Sequence, residues 1–144
     1  MNKIEVNMIV KDSLKAVALY EKIFNVERSK VTNFPKGQNE AMFSIEGMYF
    51  HLLDENPDYG MIAPAVGMMP TFWINVTVPD ILKTFQSAIE AGCKEIQAIT
   101  KMPDHGLSNA MFSDMYGYVW LLHQVHQEVS FEERTKKWEE KLKK

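Results

Sequence analysis

Between Ile4 and Val10 apolar and polar side chains alternate. Val6, Met8 and Val10 fall on one face and Glu5, Asn7 and Ile9 on the other, the period of a strand. From Ser13 the period lengthens. Ala16, Val17, Tyr20, Ile23 and Phe24 recur at helical spacing, which predicts an amphipathic helix over Ser13–Phe24 with Asp12 as its N-cap. Val26–Phe34 returns to strand character and breaks at Pro35-Lys36-Gly37. Glu40–Glu46 and Met48–Asp54 predict a hairpin about Gly47, and the run Glu55–Pro70, punctuated by prolines and glycines, predicts a linker. The order then recurs. A strand over Thr71–Val78 leads to Asp80 as N-cap and a helix over Ile81–Ala91, with Leu82, Phe85, Ala88 and Ile89 inward and Gly92 at C′. A strand over Glu95–Thr100, a polar loop over Met102–Gly106 and a strand–turn–strand over Ala110–Leu122 follow. The tail, Val129–Lys144, predicts one more helix. Ser130 and Glu133 make a capping box, Phe131, Thr135, Trp138 and Leu142 form a narrow stripe, and Lys141, Lys143 and Lys144 suit the negative end. A helix so polar is expected to dock on the body or on a partner subunit.

The recurrence extends to residue identity. Ala41-Met-Phe-Ser44 returns as Ala110-Met-Phe-Ser113, an offset of 69 (110 − 41), at which Tyr49 falls on Tyr118, Leu52 on Leu121 and Leu53 on Leu122. At an offset of 68 (75 − 7), Asn7 matches Asn75, Val10 matches Val78, Asp12 matches Asp80, and Leu14-Lys15 matches Leu82-Lys83. One inserted residue in the second copy reconciles the two offsets. The chain is an internal duplication.

Composition narrows the classes of partner. The 144 residues suffice for one domain with a core, or two small modules sharing one. A formal charge of −3 gives no electrostatic reason to expect nucleic acid or an anionic membrane. The single cysteine, Cys93, excludes an intrachain disulfide framework and a cysteine-cluster metal site. With no signal-peptide core before Lys11 and no apolar run near the roughly 18 residues of a spanning helix, a cytoplasmic location is expected. The ten methionines read chiefly as core gap-fillers.

Val10-Lys11-Asp12 followed by Ala16-Val17-Ala18-Leu19-Tyr20-Glu21-Lys22-Ile23-Phe24 resembles the first strand end and first helix of the vicinal oxygen chelate superfamily, which includes glyoxalase I, extradiol dioxygenases, and fosfomycin and bleomycin resistance proteins. Asp114-Met-Tyr-Gly-Tyr-Val-Trp-Leu-Leu122 is similar to the ending of that family's second module. Trp120 and the following Leu-Leu-His-Gln look most like the PhnB-like branch, also labelled demethylubiquinone methyltransferase-like. The resemblance implies an α+β fold in which two tandem βαβββ modules form incurved mixed sheets around a shared cavity, with a C-terminal helix added. The expected organisation is one glyoxalase-like domain over 1–128 (module one 1–54, linker 55–70, module two 71–128) and a helical tail over 129–144. It also implies a homodimer.

Metal-dependent members hold a divalent ion with one side chain from the first and last strand of each module. Carried across by the repeat offsets, those positions are Glu5, Leu52, Trp73 and Leu121. Only Glu5 can ligate a metal; a shift of one residue would exchange Leu52 for His51 and leave two donors. A bound metal is therefore not expected. Glu5, Asn7, Trp73 and Asn75 share the parity of the cavity face, and Phe50, Leu52, Val119, Leu121 and His123 complete the expected pocket. A Glu5 carboxyl desolvated beside Trp73, Leu52 and Leu121 is the candidate general base, its alternative being a plain pairing with a lysine or Asn75. His51 is assigned to the helix side, His105 to a loop over the pocket, and His126 and Gln127 to no role. No nucleotide or phosphate-binding fingerprint and no Gly-rich S-adenosylmethionine loop is present, which discounts methyl transfer despite the branch label.

These residues give two functional expectations. The first is a small-molecule-binding protein without the usual metal ligands, its ligand not identifiable from sequence. The second is an enzyme acting on a small oxygenated or aromatic metabolite with Glu5 as base.

Overall fold

The computed structural model describes residues 2–144. Each half of the chain forms the same unit. In module one, β1 (Val6–Val10), α1 (Ser13–Ile23), β2 (Val26–Val31), β3 (Glu40–Ile45) and β4 (Met48–Asp54) give a four-stranded sheet ordered β1-β4-β3-β2. In module two, β5 (Ile74–Thr77), α2 (Ile81–Glu90), β6 (Lys94–Met102), β7 (Leu107–Ser113) and β8 (Val119–Val125) give β5-β8-β7-β6. In both, the first strand lies parallel to the last and the remaining pairs are antiparallel. The helix α3 (Phe131–Leu142) ends the chain. The α+β fold of two tandem βαβββ modules is thus present as expected, with shorter first strands in both modules and a longer β6.

Local chemistry starts and positions the helices alike. Asp12 and Asp80 cap α1 and α2 by accepting from the backbone N–H of Lys15 and Lys83. The first N–H of each helix reaches across to the last strand of its own module. Ser13 donates to Asp54 at 2.7 Å, and Ile81 donates to Gln124 at 2.9 Å. On α2 the buried stripe is Ile81, Phe85 and Ala88; Leu82 and Ile89 are exposed. The helix is rolled by about one position from the expected stripe, because the Ile81–Gln124 bond draws its first residue onto the sheet.

One core serves both modules. Met8, Val10, Phe43, Phe50 and Leu52 from the first sheet join Val76, Phe112, Trp120 and Leu122 from the second in a single buried cluster with both helices. Trp120 sits at its centre, 5.1 Å from the ring of Tyr20, 4.9 Å from Phe24 and 6.1 Å from Phe50. Asp114, 2 % exposed, ties the seam by accepting from the Tyr20 hydroxyl and the Trp120 indole, and from the backbone of Tyr116 and Tyr118. The Tyr118 hydroxyl then donates to the Ile9 carbonyl on the free edge of β1. The helix-bearing sides of the two sheets are therefore turned toward a common interior, and the two open sides are separated by it.

The linker is ordered onto this frame. A helical turn at Pro57–Tyr59 is capped by Asn56, and Pro64 packs so closely on Gly117 that its ring and carbonyl leave no room there for a side chain. The tail helix is different. It buries no residue and touches the turn at Pro103–His105, with Lys141 paired to Asp104, while Phe131, Trp138 and Leu142 are exposed.

Candidate ligand-binding site

Strand alternation divides every sheet residue between the shared core and an open side. On β1, Met8 and Val10 are buried, so Asn7 and Ile9 take the open side, and Glu5 just before the strand has the same parity. On β4 the buried residues are Phe50, Leu52 and Asp54. Tyr49, His51 and Leu53 therefore face outward. This corrects two expected pocket residues: Phe50 and Leu52 lie in the core at 1 % and 0 % exposure, on the opposite side of the sheet from Glu5. It also reverses the expected side of His51.

The physical reason lies in the turns. Phe43 pairs with Phe50, seven residues later (50 − 43), whereas Phe112 pairs with Trp120, eight residues later (120 − 112). Between the equivalent pairs Ser44–Tyr49 and Ser113–Val119 the second hairpin therefore holds one residue more than the first, so the repeat offset grows to 70 (122 − 52) on the last strands. Met8 pairs with Leu52, and Val76 with Leu122. Leu52 thus corresponds to Leu122, and His51 to Leu121. A period-two element turns a one-residue error into the wrong face.

His51 and Glu5 meet. The ring Nδ1 lies 3.1 Å from Glu5 Oε1, and since an ionised carboxylate only accepts, Nδ1 donates. Nε2 is buried without a hydrogen-bond partner, with Glu40 Oε2 at 3.6 Å. Glu40 reaches it from the open side of β3, one strand away. The expected neighbours of Glu5 were Trp73, Leu52 and Leu121. Its neighbour is His51, since Leu52 faces inward and the common core separates the open side of module two.

The open side of module two carries Asn75, Leu121 and His123. Asn75 Nδ2 lies 3.2 Å from His123 Nδ1. The amide nitrogen donates, so Nδ1 accepts and Nε2 carries the imidazole proton. Partial burial, then nearby His105, pushes this imidazole below the usual histidine range, leaving it neutral at pH 7. Val119 has the open-side parity yet is 3 % exposed. Trp73 precedes β5 and is exposed, at the parity of Asn75. Gln97 donates to Asn109 on the same side. His126 bonds Ser108 as β8 ends.

The four positions that hold the ion in metal-dependent relatives are, by strand register, Glu5, His51, Trp73 and Leu121. Two carry no donor, and His51 spends Nδ1 on Glu5 itself. Among the described residues no group of three or more His, Cys, Asp or Glu is placed to hold an ion. This donor set does not fit a divalent centre. What it offers is a carboxylate–imidazole pair on one open face, and a neutral imidazole with amide groups on the other. The pair was legible in part: in Met48–Asp54 the strongest apolar alternation, Phe50 and Leu52, marks the core side and places His51 opposite it. The repeat offset obscured that signal.

The profile of the Glyoxalase/Bleomycin resistance protein/Dioxygenase superfamily matches residues 4–122. No curated protein matches the chain. Among solved structures, the fosfomycin resistance protein FosX from Listeria monocytogenes, complexed with Mn(II) and sulfate, aligns with a TM-score of 0.68 at 18% identity, over 95% of this chain and 97% of that one. A putative 3-demethylubiquinone-9 3-methyltransferase, the PhnB protein from Bacillus cereus, aligns at 0.64 and 15% identity, over 86% and 100%. TioX from Micromonospora sp. ML1 aligns at 0.61 and 18%, over 88% and 100%. At these identities the likeness establishes the fold, and with the profile spanning most of the sequence, the chain belongs to the glyoxalase/bleomycin resistance/dioxygenase superfamily.

Proposed function

We propose that this chain is a cytoplasmic small-molecule-binding protein that works without the divalent metal of its metal-dependent relatives and builds each pocket between two copies. The observation that carries the reading is the division of the ligand positions. Glu5 and His51 stand on one open face and Trp73 and Leu121 on the other, with the common core between them. A two-fold dimer sets the first face of one copy against the second face of its partner and forms two equal pockets. The FosX neighbour was solved with Mn(II) and sulfate. Here half of the corresponding positions are apolar, and binding rests on hydrogen bonds and apolar contact instead.

Metal analysis of the freshly purified protein tests this directly. The expected result is a substoichiometric content of every divalent ion and an unchanged melting temperature in saturating Mn2+, Zn2+ or Ni2+. One ion per chain that survives desalting, or a rise of several degrees as specific ligand linkage produces, would overturn it. The Glu5–His51 hydrogen bond favours a second reading, an enzyme for a small oxygenated or aromatic metabolite with Glu5 as base, because a paired carboxylate and imidazole can pass a proton.

A further inference from the structure

Between Asp58 and Asp80 the chain carries no Asp, Glu, Lys, Arg or His, in a sequence of which 24% is charged. Within that span the linker turns Ile62, Val66, Met68, Met69, Phe72 and Trp73 outward, each 44–70 % exposed. The segment is nevertheless held in place. Asn56 and Met61 exchange backbone hydrogen bonds, the Ala63 N–H donates to Glu55 Oε1 at 3.0 Å, and Pro64 is seated on Gly117. An ordered strap that presents large apolar side chains to water, with no charge among them, is a contact surface.

We infer that the strap over residues 62–73 is where a second copy of this chain docks, and that this contact sets Trp73 into the pocket the two copies share. The inference rests on the two-copy pocket proposed above. Two observations choose a second copy as the occupant. The first is area. At about 150–250 Å² for a large side chain, these exposures leave roughly 700 Å² of apolar surface on each copy, close to the ~800 Å² that each partner buries in a stable complex. The second is continuity. The strap ends at Trp73, just before β5, so it borders the open face of module two that the pocket sets against the partner. The flexible side chains of Met68 and Met69 suit a surface that must conform to another. An anionic lipid surface fits poorly, because the charges that flank the strap are Asp58 and Asp80 and no basic residue lies between them.

Sedimentation equilibrium of the full chain tests this, with the wild type beside Met68→Glu combined with Phe72→Glu. Both side chains are exposed in the single chain, so the variant should keep the circular dichroism of the wild type. Its dimer should weaken by about a hundredfold or more, since two carboxylates would be buried unpaired. If the variant dimerises within about tenfold of the wild type, the strap is not the contact and the two-copy pocket stands on another surface. If the wild type is a monomer at every concentration, strap and pocket fall together. Wild-type protein alone gives a second readout. At concentrations where it is a dimer, peroxide oxidation of Met68 and Met69, followed by mass spectrometry, should run about tenfold or more slower than in a free peptide of residues 60–73. Oxidation as fast as in the peptide, in a protein that sediments as a dimer, overturns the inference even if the variant fails to fold.

Discussion

Asp54 shows how much one carboxylate can hold. It accepts from the Ser13 backbone and hydroxyl and from the backbone of Gly37 and Asn39, and it is 3 % exposed. Burial pushes this carboxyl up, but the bonds from Ser13, Asn39 and Gly37 outweigh burial and hold it below the usual range. A folded-state value below the unfolded one means that Asp54 contributes stability above the unfolded value, about 3.9, and loses it as pH falls through the folded value. Asp54→Ala should cost about 2–4 kcal/mol in urea unfolding at pH 7, since it strands buried donors. Asp54→Asn should in addition flatten the acid limb of the stability curve below about pH 4. A cost within about 0.5 kcal/mol, or an unchanged acid limb, would show that these bonds contribute nothing net. The equivalent place in module two is Gln124, an uncharged acceptor for Ile81, so this position brings no acid sensitivity to the second module.

Among the elements, α3 stands apart from the body. Its cap was legible, and Ser130 accepts from Glu133 N as the capping box predicts. Its docking was legible only as a need. Against its own chain the helix meets the Pro103–His105 turn and leaves Phe131, Trp138 and Leu142 exposed. Deleting residues 129–144 should therefore change the unfolding free energy by about 1 kcal/mol or less, with the cooperative transition kept. Loss of that transition in calorimetry would place the tail in the folding unit. The β3–β4 hairpin gives the opposite lesson. Its existence was plain from Gly47 and the flanking apolar runs, but its phase relative to module two depended on one extra residue in the turn at 114–118, which carries the buried Asp114. The aligned identities Leu52 and Leu121 therefore pointed to the wrong pair.

For the whole molecule, the arrangement of the modules has a thermodynamic consequence. If pockets close only between copies, association stabilises the folded chain by mass action. The melting temperature should then fall on dilution across the dimer's dissociation range, and sedimentation equilibrium should show two copies at high concentration. A monomer at every concentration, with a constant melting temperature, would remove the two-copy pocket.

The sequence by itself determined the duplication, the helix caps and the superfamily. These follow from local periodicity and short-range hydrogen bonding, which a linear pattern records. Glu5, Asn7, Asn75, Leu121 and His123 were placed on the open faces by the same alternation. The tertiary structure alone decided that Phe50 and Leu52 are core, that His51 is the partner of Glu5, and that the two open faces are set apart by a common interior. Each depends on strand register or on module packing. Register is settled by hydrogen bonds between segments some forty residues apart, and packing by where Trp120, Tyr20 and Phe24 bury most surface together, and neither leaves a period in the chain.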